Sequence, residues 1–315
     1  MLPSSIQSAL HPAGVQAARI EGLWWLMFWV CTVVFLIMMT AVAAAVVRGA
    51  EGRSIGTPDG TLTRNVAVAI GISTVALLGL LLASVLTGRA IRSLDAPGAL
   101  NVRITGYQWW WSIEYLDPDP SLQVTTANEL HLPVGRPVAI SLRAADVIHS
   151  FWVPPLHGKT DLVPGRENTQ WLRADAPGIY RGQCAEYCGA QHAHMSLTVI
   201  AERSDQFEAW LAGQRELPPN PVTSEQARGR QVVEQGPCAL CHSIRGTTAG
   251  ARTAPDLTHF ATRSTIAAGT APNTRGYLAG WIANPQHLKP GNRMPPTGLS
   301  SDDLQAVVAY LETLR

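Results

Sequence analysis

Two long, uncharged apolar runs constrain this chain before anything else does. Leu23–Val47 holds 25 residues and Val66–Thr87 holds 22, with no charged side chain in either. As helices rising ~1.5 Å per residue they would span roughly 37 and 33 Å, enough to cross a bilayer core with some tilt. Trp24, Trp25 and Trp29 crowd the start of the first run, where aromatic rings favour a lipid–water boundary. A buried core helix is the plainer reading of one such run, but two do not suit a single soluble domain. The first run is also longer than the ~7–15 apolar residues of a signal peptide, and no basic leader precedes it. The expectation is a retained transmembrane hairpin, with helices about 23–47 and 66–87, inside an N-terminal segment 1–99. Arginine counting leaves its orientation open: Arg48, Arg53 and Arg64 lie between the runs, and Arg19, Arg89 and Arg92 lie outside them.

Beyond the hairpin the pattern changes twice. The formal net charge is +1 over 315 residues, which leaves no electrostatic footprint for a nucleic acid. Between 100 and 205, Val138, Ile140 and Leu142 alternate, as do Leu197 and Val199. Turns such as Val134-Gly-Arg-Pro137 and Val163-Pro-Gly165 punctuate the segment, which reads as an all-β sandwich or small barrel. Residues 206–222 read as a linker: one or two helical turns over Gln206–Gln214, then the stiff spacer Leu217-Pro-Pro-Asn-Pro221. Residues 223–315 read as all-α. Leu304, Val307, Val308 and Leu311 mark one buried face of a last helix, with Asp302 and Asp303 in its first turn, where the helix dipole favours acids. Acidic and basic residues leave the β segment at −3 and 222–315 at +3, opposite signs that would favour docking of the two.

Soft-metal ligands concentrate in the β segment. The string Cys184-Ala-Glu-Tyr-Cys188-Gly-Ala-Gln-His192-Ala-His-Met195 puts two thiols, an imidazole and a thioether on one loop, and His149 lies upstream. Thiolate, imidazole and thioether donors suit copper. One blue-copper ion needs only one cysteine, so two cysteines point to a pair of coppers bridged by both sulfurs. Each ion would then take one histidine and one weak ligand, either the Met195 sulfur or a backbone carbonyl, that of Glu186 being the most plausible. A Cys2His2 zinc site, a Cys184–Cys188 disulfide and His194 in place of His192 are the competing readings. Zinc leaves Met195 unexplained, and a disulfide leaves the histidines unexplained.

Cys238-Ala-Leu-Cys241-His242 is the attachment signature of c-type haem. Cys238 and Cys241 would form the thioethers and His242 would bind the iron. Met294, in Arg293-Met-Pro-Pro296, is the candidate opposite ligand, with His259 and His287 its competitors. A zinc knuckle or a redox-active thiol pair would need a second half that the sequence lacks. Covalent haem and thiolate copper belong outside the cytoplasmic membrane, which would put both termini outside and the hairpin turn inside. Cys31, in the first apolar run, reads as a small buried apolar side chain.

These residues resemble subunit II of the haem–copper cytochrome c oxidase family, with a fused C-terminal cytochrome c domain. The resemblance rests on Gly106-Tyr-Gln-Trp-Trp-Trp-Ser-Ile-Glu-Tyr115, Ala145-Asp-Val-Ile-His-Ser-Phe-Trp-Val-Pro154, Lys159-Thr-Asp-Leu-Val-Pro-Gly-Arg166 and the Cys184–Met195 loop. In the last third it rests on Ala254-Pro-Asp-Leu257, Trp281-Ile-Ala-Asn-Pro285 and Lys289-Pro-Gly291, and before the first helix on His11-Pro-Ala-Gly14. It implies a multidomain membrane protein: a two-helix hairpin, a cupredoxin-like sandwich and a class I cytochrome c domain. It also implies a binuclear copper centre (CuA) held by His149, Cys184, Glu186 through its carbonyl, Cys188, His192 and Met195. The Glu186 carboxylate would help hold magnesium at the interface with subunit I.

By the same resemblance Trp109 would be the residue through which electrons reach the copper. Trp110 and Trp111 would serve the core or the subunit I contact, and Pro255 would accept the ring N–H of His242. Asp146 resembles an acidic residue near a cytochrome-docking face, although a lone aspartate is usually just solvated. The expected partners are subunit I, subunit III and an electron donor, either a soluble cytochrome c or a quinol–cytochrome c reductase, at a bacterial inner membrane. One departure stands out: Thr61-Leu-Thr-Arg-Asn-Val66 offers no carboxylate at the start of the second helix, where many relatives place the mouth of a proton path. A membrane-anchored electron carrier or copper-handling protein with no oxidase partner stays open on the metal ligands alone.

Overall fold

The structure, a computed structural model, describes residues 7–50, 59–92 and 98–315. It divides into two compact units, residues 18–95 and the remainder.

The first unit is helical. Helix α1 spans Val15–Ala50 and α2 spans Asp59–Arg92, so each outruns its uncharged stretch at both ends. The flanks carry polar helix formers such as Gln16, Arg19 and Arg89, which let the backbone ladder continue past the apolar part. Both helices are long and apolar enough to cross a membrane, and their apolar windows are unburied. Side chains such as Phe35 and Ile72 stand exposed around the helix, an arrangement that lipid tolerates and water does not.

Two expectations are corrected here. Helix α2 begins at Asp59, so a carboxylate does stand in its first turn, two residues before the stretch searched for one. Cys31 is exposed on α1 and not buried. The turn between the helices, with Arg53, lies outside the described residues.

The β segment forms two five-stranded sheets. Its strands are β1 (Leu100–Tyr107), β2 (Trp110–Tyr115), β3 (Val124–Ala127), β4 (Glu129–Pro133) and β5 (Val138–Ala144), then β6 (His149–Trp152), β7 (Thr160–Leu162), β8 (Asn168–Leu172), β9 (Gly178–Cys184) and β10 (Ser196–Glu202). One sheet runs β3-β2-β1-β5-β8 and the other β4-β10-β9-β6-β7. The β1–β5 and β4–β10 pairs are parallel, and the other pairs are antiparallel. The alternation read from sequence is the sandwich interior: Val138, Ile140 and Leu142 from one sheet meet Leu197 and Val199 from the other, all in one core. Residues 13–17 are bonded to this sandwich, Ala13 N–H to Pro155 O at 2.7 Å and Gln16 Nε2 to Trp171 O at 3.1 Å.

The expected linker 206–222 is shorter than the sequence indicated. Helix α3 occupies Ser204–Arg215 and buries Phe207 and Leu211 in the sandwich core. Trp210 of this helix stacks on His131, with centroids 3.9 Å apart and planes at 7°. Only the Pro-rich part remains as spacer. The apolar spacing of Phe207, Trp210 and Leu211 is the signal for this helix, a faint one because the window is short and charged.

The last third is helical around its own core. Helix α4 is Ser224–Gln235, α5 Arg275–Ala283, α6 Pro285–Leu288 and α7 Ser301–Leu311, with a small ribbon of β11 (Thr265–Ile266) and β12 (Ala271–Pro272). Thr223 starts α4 with a reciprocal cap against Gln226, and Ser300 Oγ accepts the Asp303 amide at 3.1 Å to start α7. Val233 packs with Val307, Val308, Leu311 and Leu314.

Candidate functional site

Strand ends bring the soft ligands together. His149 opens β6 and Cys184 closes β9; the two strands pair with Phe151 opposite Cys184, so the first ligands share one end of the sandwich. The chain then loops through Cys188 and a 3₁₀ turn at His192–His194 before Met195 delivers it into β10. The two sulfurs stand 3.7 Å apart, too far for a disulfide, and both cysteines are free and buried. Around them lie His149 Nδ1, 3.9 Å from the Cys184 sulfur, and the Glu186 carbonyl oxygen, 3.2 Å from it. His192 Nδ1 and the Met195 sulfur lie 3.6 and 3.8 Å from the Cys188 sulfur. The His194 ring turns away to Gln191 Oε1 at 2.7 Å, so His192 is the loop imidazole that faces the sulfurs.

Charge in this cluster is shared. The sulfur–sulfur hydrogen bond with Cys188 pulls the Cys184 thiol down, while the same contact together with burial pushes Cys188 up. One thiolate therefore forms readily, and a second needs a cation beside it.

Behind the cluster sits a carboxylate that sequence reasoning left as solvated. Asp146 accepts His149 Nε2–H at 2.9 Å, the Gln108 amide at 2.8 Å and the Val147 amide at 2.8 Å. Burial opposes its ionisation, but those hydrogen bonds outweigh it and hold the carboxyl below its usual range. A donated Nε2–H leaves Nδ1 of His149 with a free lone pair directed at the cysteines. Gly106 is the other residue missed. A Cβ there would come within 2.9 Å of His149 Cδ2, so the ring occupies space that only glycine leaves. Trp111, fully buried, lies 6.1 Å from the same ring.

A second site opens beside the first. A cavity of about 570 Å³ is lined by Cys238, Cys241, His242 and Met294, with apolar walls from residues such as Phe260 and Trp281. Its other wall is the β1–β2 turn of the sandwich, including Trp109 and Trp110. Trp110 therefore faces this cavity and stacks on Tyr107, with centroids at 4.5 Å, instead of joining a core. His242 Nδ1–H donates to Pro255 O at 2.7 Å, leaving Nε2 unprotonated. Burial lowers the His242 pKa against the upward pull of the Pro255 hydrogen bond, which favours the neutral ring. The competitors of Met294 are engaged or turned away. His259 Nε2 sits among Arg245 Nη2 and Glu216 O, and His287 is exposed.

Trp109 belongs to both sites. Its ring lines the cavity, while Nε1–H donates to the Cys188 carbonyl at 3.0 Å, which also accepts Gln108 Nε2–H at 2.8 Å.

Comparison with known proteins follows this division. The family described as cytochrome c oxidase subunit II, periplasmic domain, matches residues 118–202, and the cytochrome c family matches 226–315. A cytochrome c oxidase subunit 2 of Alkalihalophilus pseudofirmus is 41% identical over 215 residues, 68% of this chain and 61% of that one. A probable cytochrome c oxidase subunit 2 of Rickettsia bellii is 31% identical over 184 residues, 52% of this chain and 68% of its own length. The chain belongs to the cytochrome c oxidase subunit 2 family. It spans only about three fifths of the first relatives it matches, 61% of the Alkalihalophilus protein and 62% of one from Bacillus sp.. The crystallised periplasmic domain of cytochrome oxidase subunit II from Bradyrhizobium japonicum is 31% identical, with 38% of this chain and 97% of that chain covered at a TM-score of 0.36.

Subunit 2 and cytochrome c domains imply copper and haem c, and the residues present fit both. Two sulfurs 3.7 Å apart can each reach one ion at the ~2.3 Å of a metal–thiolate bond, with histidine nitrogens and a thioether close by. A buried methionine sulfur in the set favours copper over zinc. The cavity has the size and apolar lining of a cofactor site, with two free thiols and a neutral imidazole converging on it.

Proposed function

We propose that this chain is the electron-accepting subunit of a terminal respiratory cytochrome c oxidase. Cys238 and Cys241 tether haem c, His242 and Met294 ligate its iron, and Pro255 fixes the proximal ring. His149, Cys184, the Glu186 carbonyl, Cys188, His192 and Met195 hold the binuclear copper centre. When bound, these groups would supply one-electron redox chemistry, haem c as donor and copper as acceptor. The protein contributes spacing, ligand orientation and exclusion of water.

The observation that carries this reading is Trp109, which touches the haem cavity with its ring and the carbonyl of a bridging cysteine with its N–H. It joins the wall of the cavity to the cysteine loop through a single side chain. In the assembled oxidase the electrons would be handed on to a haem in subunit I, where oxygen would be reduced to water with proton translocation. This chain holds no oxygen-reducing centre of its own. The exposed Glu186 carboxylate is free of the copper loop's interior and is offered to magnesium at the subunit I interface. Subunits I and III are the membrane partners, and a soluble cytochrome c or a quinol–cytochrome c reductase is the donor. The two apolar helices span the bacterial inner membrane, with both termini and both metal domains outside.

The test is the optical spectrum and metal content of the purified full-length chain in detergent. Mixed-valence dicopper bands together with haem c bands are expected; zinc or empty thiols at the cysteine pair would overturn the reading. Co-purification of a haem a-containing subunit separates an oxidase from a free-standing electron carrier. Trp109→Phe keeps an aromatic ring but deletes the N–H link. Haem-to-copper transfer, followed after flash reduction, should slow by about tenfold or more, the equivalent of ~1.4 kcal/mol of barrier, with both spectra unchanged. Asp146→Asn should weaken copper binding by ~10–100-fold in competition with a chelator, because the His149 ring loses its anionic support while every ligand remains.

A further inference from the structure

One buried cation is not among the proposed ligands of either site, although it borders the haem cavity. Lys289 is 3% exposed, and its ammonium donates to three carbonyls: Trp109 O at 2.7 Å, His194 O at 2.7 Å and Ala267 O at 3.0 Å. Two of these acceptors belong to the copper sandwich and the third to the haem domain that carries Lys289 itself. The three oxygens match the three N–H bonds of one ammonium, so the cradle is complete only when the two domains are in register.

Other buried polar contacts cross the same boundary. Glu129 of β4 is 4% exposed and accepts both the amide and the hydroxyl of Ser264, at 2.7 and 2.6 Å. Ser196, the first residue of β10, donates its hydroxyl to Ala268 O at 2.8 Å, and Gln191 Nε2 donates to Pro290 O at 2.8 Å. The cross-boundary ion pair Arg293–Asp146, at 3.3 Å, is exposed on its arginine side. Groups of this kind are satisfied in one relative position and stranded in any other, which makes a polar boundary a register device.

We propose that the haem domain is permanently seated on the copper domain by a buried polar dock keyed by Lys289, so that the spacer covers a fixed joint and is not a swinging tether. Lys289 is a positioning residue here. It lies five residues before Met294 in the chain, and its acceptors on the sandwich are Trp109 and His194, the residue just before Met195 in the copper loop. It therefore holds the haem cavity against Trp109, whose side chain reaches the Cys188 carbonyl. The inference rests on the electron-carrying reading of the two sites for its purpose, but not for its geometry.

The test cuts the spacer. A site for a sequence-specific protease is inserted between Pro219 and Asn220 of the full-length, metal- and haem-loaded chain in detergent, and the cleaved protein is passed over a sizing column. In the wild-type background the haem should stay with the copper fragment. Lys289→Met, similar in length and without donors, should release it, with retention about 10²-fold weaker, as expected when one partner of a buried charged contact is removed. As a second readout in uncut protein, haem-to-copper transfer should be indifferent to added glycerol in the wild type and slowed by it in Lys289→Met. Release of the haem domain from cleaved wild-type protein, or glycerol-sensitive transfer in the uncut wild type, would overturn the dock; full retention in Lys289→Met would overturn the role given to the lysine. Missing copper bands before cleavage would defeat the functional reading alone, because co-migration still decides whether the dock exists.

Discussion

Cys188→Ser should empty the copper site and leave the haem untouched. The Cys188 sulfur stands 3.7 Å from Cys184 Sγ, 3.6 Å from His192 Nδ1 and 3.8 Å from Met195 Sδ, so it joins half of the ligand set to Cys184. Serine replaces a soft sulfur donor with a hard hydroxyl that stays protonated at neutral pH. On the proposed two-copper reading, one substitution would take a ligand from both ions at once. The effect should exceed the ~10–100-fold loss that follows from removing a supporting residue, and copper should fall to background by elemental analysis. The backbone carbonyl of residue 188 survives the change, so the Trp109 and Gln108 hydrogen bonds survive too. Haem bands, and the haem domain's place on the sandwich, should therefore be unaltered. Copper absorbance that persists in this variant would remove Cys188 from the ligand set.

The cluster of soft side chains in the Cys184–Met195 loop was legible because its chemistry is local. Cys184, Cys188, His192 and Met195 fall within twelve residues, and thiolate, imidazole and thioether together have few uses. The haem signature is shorter still. What sequence could not supply was anything that depends on two distant segments meeting. Asp146 looked like a solvated acid because nothing near it in sequence shows that the Gln108 amide and Arg293 converge on it. Gly106 looked like part of a turn, and its purpose is visible only with the His149 ring beside it. Lys289 looked like part of a Lys-Pro-Gly loop, with two of its acceptors roughly a hundred and more residues away. The opposite net charges of the two domains did point to docking. The contacts that join them, however, are mostly buried hydrogen bonds, which added salt weakens far less than it weakens exposed charge pairs.

The helix starting at residue 59 and the helix α3 were hidden for a different reason. Both were judged from apolar pattern, and helices end where caps and backbone geometry end them, not where charge first appears. Asp59 gains from the dipole at the N-terminus of α2, so an acid marks the beginning of that helix and not the end of a loop. In α3 three aromatic and aliphatic side chains one turn apart were enough to seat a charged helix on the sandwich.

Gly229→Ala should destabilise the haem domain by about 3 kcal/mol or more, although alanine is the better helix former. Two effects oppose each other. Replacing an interior helical glycine ordinarily adds up to ~1 kcal/mol of stability. At 229, however, a Cβ would lie 1.9 Å from the Ala306 carbonyl oxygen, 2.5 Å from its carbon and 2.8 Å from Tyr310 Cβ. Two of those atoms are backbone of α7 and cannot rotate aside, so α4 and α7 must separate. That opens the core of Val233, Val307, Val308 and Leu311, and contacts are lost along the whole crossing. The clash therefore wins, against a total stability of only ~5–15 kcal/mol for a domain. Gly280→Ala in α5 is the matched control, because a Cβ there meets nothing within 4 Å and only the propensity gain remains. Urea unfolding followed at the haem band should move the two midpoints in opposite directions. Equal midpoints for the two variants would mean that the helices are not in close contact at residue 229.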